Sequence, residues 1–147
     1  MLRTLTCLLL LVLANAAFAQ AQQKPQRFGD LIVHYNLFNS SYLEPDVAAS
    51  TGLQRGPTHG VMTILVERDT PTGKRPVDAL LSGTVDNLLQ QSRPLNFIRI
   101  EEGDALYFVA NYTSAQRGVL RFKVNIQAEE GAPVHTLQLH QEFFPDE

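Results

Sequence analysis

The stretch from Leu120 to Ala128 constrains the fold more than any other part of the chain. It reads Leu-Arg-Phe-Lys-Val-Asn-Ile-Gln-Ala, with apolar and polar residues in strict alternation. Successive side chains of a β-strand point to opposite faces, so this pattern creates one apolar face and one wet face. A helix would scatter the same residues round its circumference. The segment is therefore committed to a strand that covers a core on one side, as in antiparallel sheets.

Six further segments read as strands. Asp30 to Phe38 is rich in β-branched and aromatic residues, with Leu31, Val33, Tyr35 and Leu37 on one face and Ile32, His34, Asn36 and Phe38 on the other. Both faces are partly apolar, which predicts cover on both sides for part of its length. Val61 to Arg68, Val77 to Asp86, Leu95 to Glu101, Ala105 to Tyr112 and His135 to Phe143 complete the set. Gly83 marks a bulge or a close contact. Between them lie turn formers: the hairpin-type connection Asp69 to Pro76, Glu102-Gly103-Asp104 and Glu129-Glu130-Gly131. The one helical turn spans Leu43 to Ala49, with Pro45 near its start and Gly52 placed to end it.

About seven short strands joined by turns predict an all-β, single-domain antiparallel β-sandwich of immunoglobulin-like type, with a small closed barrel as the alternative. The landmark cysteines and tryptophan of immunoglobulin domains are absent, so strand number and spacing carry this expectation.

The N-terminus reads differently. Arg3 precedes an apolar run from Leu5 to Ala14, and Ala17-Phe18-Ala19 is a small-x-small cleavage pattern. Residues 1–19 read as a secretory signal peptide cut after Ala19, too short to span a bilayer. Residues 20–27, polar and glutamine-rich, read as a flexible leader, and residues 28–147 as the sandwich domain. The expected location is the periplasm. Cys7, the single cysteine, lies within the signal, so the exported chain is expected to have neither disulfides nor thiolate chemistry.

Lys and Arg number 12 against 15 Asp and Glu, and the basic residues are scattered. That argues against nucleic acid, which needs a concentrated basic face, and no apolar run anchors the exported chain in a membrane. The histidines are His34, His59, His135 and His140. His135 and His140 fall on opposite faces of one strand. His59-x-x-Met62 has the composition of a soft-metal pair, but Met62 shares its face with Ile64 and Val66 and is read as core. No metal or other cofactor is expected, and no catalytic residue is assigned. Glu101, Glu102 and Asp104 read as a solvated hairpin tip. Paired with a histidine they form the alternative reading, a small periplasmic hydrolase.

The leading expectation is a non-catalytic binding or protein-interaction module for a periplasmic protein or small ligand. Val33 to Leu43 mixes rings with amides and hydroxyls, the chemistry of a recognition surface. A second amide-rich run is Asn87-Leu88-Leu89-Gln90-Gln91. The candidate recognition residues are His34, Tyr35, Asn36, Asn39, Asn87 and Gln90, and the competing reading makes their amides internal struts.

These residues also carry a resemblance. Val33-His34-Tyr35-Asn36, Phe38 to Leu43, Pro45 and Val47-Ala48 resemble the opening of small exported bacterial proteins grouped as domain of unknown function 4426. Val77 to Gly83, Asn87 to Gln90, Ile100 to Ala110, Phe122 and Gln141-x-Phe143-Phe144 resemble its later segments. The resemblance implies a periplasmic single domain of this length with no established activity, and it supplies no catalytic residues.

Overall fold

The computed structural model of the protein describes residues 24–146. The signal peptide and most of the leader expected from the sequence lie outside these residues. Ten strands are present: β1 (Gln26–Phe28), β2 (Leu31–Asn39), β3 (His59–Thr70), β4 (Gly73–Pro76), β5 (Leu80–Asp86), β6 (Ser92–Leu95), β7 (Ile98–Glu102), β8 (Ala105–Thr113), β9 (Gly118–Gln127) and β10 (Val134–Phe143). One helix, α1 (Pro45–Thr51), follows a 3-10 turn at Ser40–Tyr42. Gly52 ends α1 in the left-handed region at φ 78°, the role its position predicted.

The strands form two antiparallel sheets packed face to face, a sandwich and not a barrel. One sheet runs β1-β2-β3-β8-β7, with β4 also paired to β3; the other runs β10-β9-β5-β6. β3 is the spine of the first sheet. β2 pairs along it from Gly60 to Arg68. Its opposite edge is shared, β8 pairing with His59 to Ile64 and β4 with Glu67 to Thr70.

The core lies between the sheets. Met62, Ile64 and Val66 of β3 and Phe108 and Ala110 of β8 meet Phe122, Val124 and Ile126 of β9. The alternation read in β9 is observed: Leu120, Phe122, Val124 and Ile126 are buried, while Arg121 and Lys123 are exposed. Tyr112 meets Phe122 and Phe143 edge-on at centroid distances of 4.9 and 5.8 Å, joining the sheets at one end. Burial pushes its phenol up to about 12. Gly83 is the close contact its position predicted, since a Cβ there would lie 2.8 Å from the Lys123 carbonyl oxygen.

A smaller cluster covers part of the outer face of the first sheet. Leu53, Val61 and Val109 are buried there with Phe38, Leu43, Ile98 and Ile100 against them. This is the second cover that the apolar residues on both faces of β2 predicted. The covering loop is pinned by Ser40, whose fully buried hydroxyl donates to the Gly56 carbonyl and accepts from the Gly56 N–H, both at 3.0 Å. The C-terminus is fastened to the same end. Asn39 Nδ2 donates to the Phe144 carbonyl at 2.8 Å and to Asp146 Oδ1 at 3.1 Å, and the Asp146 N–H donates to the Pro57 carbonyl at 2.9 Å.

Several boundaries differ from expectation, and three extra strands account for the higher number. Gln26 and Arg27, expected in the leader, pair with Val33 and Ile32. The expected connection Asp69 to Pro76 folds back as a tight hairpin, giving β4. Leu95 to Glu101 is not one strand. Leu95 ends β6 in one sheet and Ile98 begins β7 in the other, so the chain crosses the sandwich at Asn96-Phe97. Val77 to Ala79 likewise crosses between sheets before β5 begins at Leu80. The crossings keep apolar residues packed on the core, here Val77, Ala79 and Phe97, so composition alone cannot distinguish them from strand residues.

Candidate functional site

Four of the six candidate recognition residues, His34, Tyr35, Asn36 and Asn87, fall in two concave regions on different parts of the sandwich. The larger is a cleft of about 550 Å³ between the connections β5–β6 and β8–β9. Val85 and Leu120 supply its apolar floor, and Asp86, Asn87, Arg93 and Thr113 are among its polar residues. Arg93 spans the opening, donating from Nη1 on β6 to Thr113 Oγ1 on β8 at 3.1 Å. Among the described residues no carboxylate pairs with Arg93. Among the described residues Asp86 also forms no ion pair, although Arg121 is its partner across the β5–β9 ladder, and its Oδ1 is buried without a hydrogen bond. A buried carboxylate oxygen normally finds a donor, so this atom is conspicuous.

The rim of the cleft is built by Asn87. Its Oδ1 accepts from the N–H groups of Leu89 and Gln91, both at 3.0 Å, and its Nδ2 donates to Gln91 Oε1 at 2.8 Å. The Asn87 N–H donates to the Gln91 carbonyl, and the Gln90 N–H to the Asn87 carbonyl, each at 3.1 Å. Gln90 takes φ 62°, uncommon outside glycine, to close the turn. Asn87 spends its amide on shaping the turn, the local role asparagine side chains fill well.

The second region is a shallower groove of about 250 Å³ on the uncovered part of the first sheet's outer face. His34, Asn36, Thr63, Leu65, Glu67 and Tyr107 line it, with Tyr35 contributing from the opposite parity. His34 Nε2 and Glu67 Oε1 are 2.7 Å apart. Both side chains are partly exposed, which limits what the pair contributes.

The structure thus brings together His34, Tyr35 and Asn36, places Asn87 at the other cleft, and leaves Asn39 and Gln90 lining neither. Asn39 is a strut for the C-terminus and Gln90 a turn residue. Asp86, Arg93 and Glu67 were not singled out from the sequence. For Asp86 a signal existed, a lone carboxylate closing an apolar strand just before the amide run. Arg93 and Glu67 read as ordinary surface charges until the fold places them.

Glu101, Glu102 and Asp104 line neither region and remain exposed around the β7–β8 turn. Glu101 accepts from Arg99 at 2.6 Å, and Arg99 also holds Asp78 at 2.9 Å. The hydrogen bond from Arg99 lowers the Asp78 carboxyl, and the two carboxylates raise the guanidinium. This triad ties the crossing before β5 to β7. The contacts of the histidines go elsewhere: His59 Nε2 to Gln54 Oε1 at 3.0 Å, and His135 stacked on Phe28 at 5.1 Å. Met62 is fully buried, and its position in β3 puts it on the opposite face from His59. Among the described residues no three His, Cys, Asp or Glu side chains gather to hold a metal ion, and no helix is long and apolar enough to cross a membrane.

The chain resembles other solved structures. A protein of Pseudomonas aeruginosa PAO1, described as a DUF4426 family protein, shares 40% identity at a TM-score of 0.75, over 87% of this chain and 98% of that one. FetP of uropathogenic Escherichia coli strain F11, expressed recombinantly in the periplasm, has a TM-score of 0.59 at 11% identity, over 84% of this chain and 95% of that one. A copper-bound variant of FetP has a TM-score of 0.58 at 12% identity, over 83% and 90% of the respective chains. At such identities the FetP likeness concerns the fold alone. No curated protein matches. Residues 25–146 match the family described as domain of unknown function (DUF4426), and with that match spanning nearly the whole described chain, the protein belongs to the DUF4426 family.

Proposed function

We propose that this protein is exported to the periplasm, loses residues 1–19, and works there as a non-catalytic binding module whose site is the cleft between β5–β6 and β8–β9. One observation carries this reading: Asp86 and Arg93 line the same cleft and, among the described residues, neither forms an ion pair. Unmatched charge of both signs beside an apolar floor favours a small zwitterionic ligand with an apolar portion, such as an amino acid or dipeptide. The rigid Asn87 turn supports it, since a preformed rim reduces the ordering cost of binding.

The test is an NMR titration of the periplasmic protein with a panel of free amino acids and dipeptides. Amides of residues 86–93 and 113–116 should shift, and Arg93→Ala should remove the response. No response from any probe, or one centred on His34 and Tyr107, would overturn the assignment of this cleft. Intact mass of the same sample should place Gln20 at the N-terminus.

A further inference from the structure

We infer that β10 is a dimerisation edge that pairs antiparallel with β10 of a second copy of this chain. An edge strand leaves backbone donors and acceptors open to another chain, and natural proteins blunt such edges with shortness, proline, charge or bulges. The other outer strands follow that rule. β1 has 3 residues, β4 has 4 and ends at Pro76, and β6 has 4 and contains Pro94. β7 has 5 residues, among them Arg99, Glu101 and Glu102.

β10 follows none of it. It has 10 residues, no proline, lysine or arginine, and a single carboxylate, Glu142. Its register with β9 runs unbroken from Val134↔Gln127 to Phe143↔Gly118, so no bulge twists it away. Among the described residues no strand pairs with its other side.

The side chains identify a second copy as the occupant. On the outer face β10 presents Val134, Thr136, Gln138, His140 and Glu142, and Phe144 continues the row. Val134 is 59% exposed and Phe144 49% exposed, the latter with the Arg117 guanidinium over one face of its ring at 4.4 Å, and they lie equally far from Leu139 on either side. A twofold axis through Leu139 sets Val134 of each copy opposite the partner's Phe144. It also sets Thr136 opposite Glu142 and Gln138 opposite His140, so no like charges meet. Beside Val134 lies a groove of about 270 Å³ that includes the exposed Leu80, a seat for the incoming phenyl ring. The pairing is isologous and closes on itself, joining two four-stranded sheets into one. A contact of one strand pair is small, so the dimer is expected to be weak and concentration-dependent.

Sedimentation velocity on the periplasmic protein, from low micromolar to about 1 mM, tests the pairing. The wild type should show a reversible monomer–dimer equilibrium. The double variant Gln138→Glu/His140→Glu sets carboxylates against carboxylates across the axis, whereas within each chain they face Lys123 and Arg121. It should raise the dissociation constant about a hundredfold or more, with a melting temperature at or above wild type. Phe144→Ser, which leaves the pairing of β10 with β9 intact, should weaken the dimer, while the loss of the ring's contact with Arg117 should lower the monomer's melting temperature only slightly. A wild type that is monomeric throughout, or a dimer that both variants leave unchanged, would overturn the inference.

Discussion

The ring of Tyr112 lies against the backbone of Gly60, its direct partner across the β3–β8 ladder. A Cβ at Gly60 would overlap the ring. Gly60→Ala should therefore force the tyrosine out of its edge contacts with Phe122 and Phe143. Overpacking of this kind costs ~1–3 kcal/mol, readable by urea denaturation. Combined with Tyr112→Leu, the loss should be smaller than the sum of the single losses, because both changes act through one contact. Additive losses would mean the ring does not depend on the glycine.

Tyr112 also sets a limit at alkaline pH. Its phenol titrates at about 12 in the folded protein and near 10 when free. Between those values the unfolded chain holds fewer protons than the folded one, so stability falls as pH rises through this window. The contribution is fully present below pH 10 and is lost towards pH 12, amounting to ~2–3 kcal/mol. Tyr112→Phe keeps the ring and should lose less stability than wild type over that range. Parallel pH profiles of melting temperature would show that the phenol is not responsible.

Ser40→Ala should loosen the loop from Gly52 to Thr58. The substitution removes a hydroxyl that serves both backbone groups of Gly56 and leaves them without it in a buried place. A cost of ~1–3 kcal/mol is expected, with faster amide exchange in the loop as its signature. Unchanged exchange would show that the loop is held by Leu53 and its neighbours alone.

Phe122→Ala should cost ~3–5 kcal/mol, since its side chain is 2% exposed at the centre of the core. A loss below ~1 kcal/mol in a denaturation curve would contradict that burial.

His34→Ala and Asn36→Ala should each change stability by less than ~1 kcal/mol. His34 is only partly buried with Glu67 at the surface, and Asn36 is exposed. Losses of several kcal/mol would make them struts for the sheet.

What could be read from the sequence follows from what each signal reports. Alternation in Leu120 to Ala128 is a statement about two faces, and the structure places those residues accordingly. Leu95 to Glu101 carried four apolar residues, Leu95, Phe97, Ile98 and Ile100, without strict alternation, a pattern equally consistent with a strand and with a chain crossing the core. The candidate residues divided for a related reason. Amide-rich composition marks hydrogen bonding without naming the partner, so Asn39 and Asn87 proved to bind the protein's own backbone. The cleft over Val85 and Leu120 was out of reach because its polar groups come from strands in different sheets, about twenty residues apart in the case of Arg93 and Thr113.

The fastening of Asn39 to Phe144 and Asp146 has a consequence for the order in which the domain closes. The knot joins residues separated by 105 and 107 positions. Contacts of such separation close late because the loop between them must first be ordered. Until Phe144 and Asp146 are in place, Asn39 Nδ2 lacks these two acceptors and the Pro57 carbonyl lacks its donor from Asp146. The end of the sandwich where Asn39 meets Asp146 is therefore the last to seal on folding and the first to open.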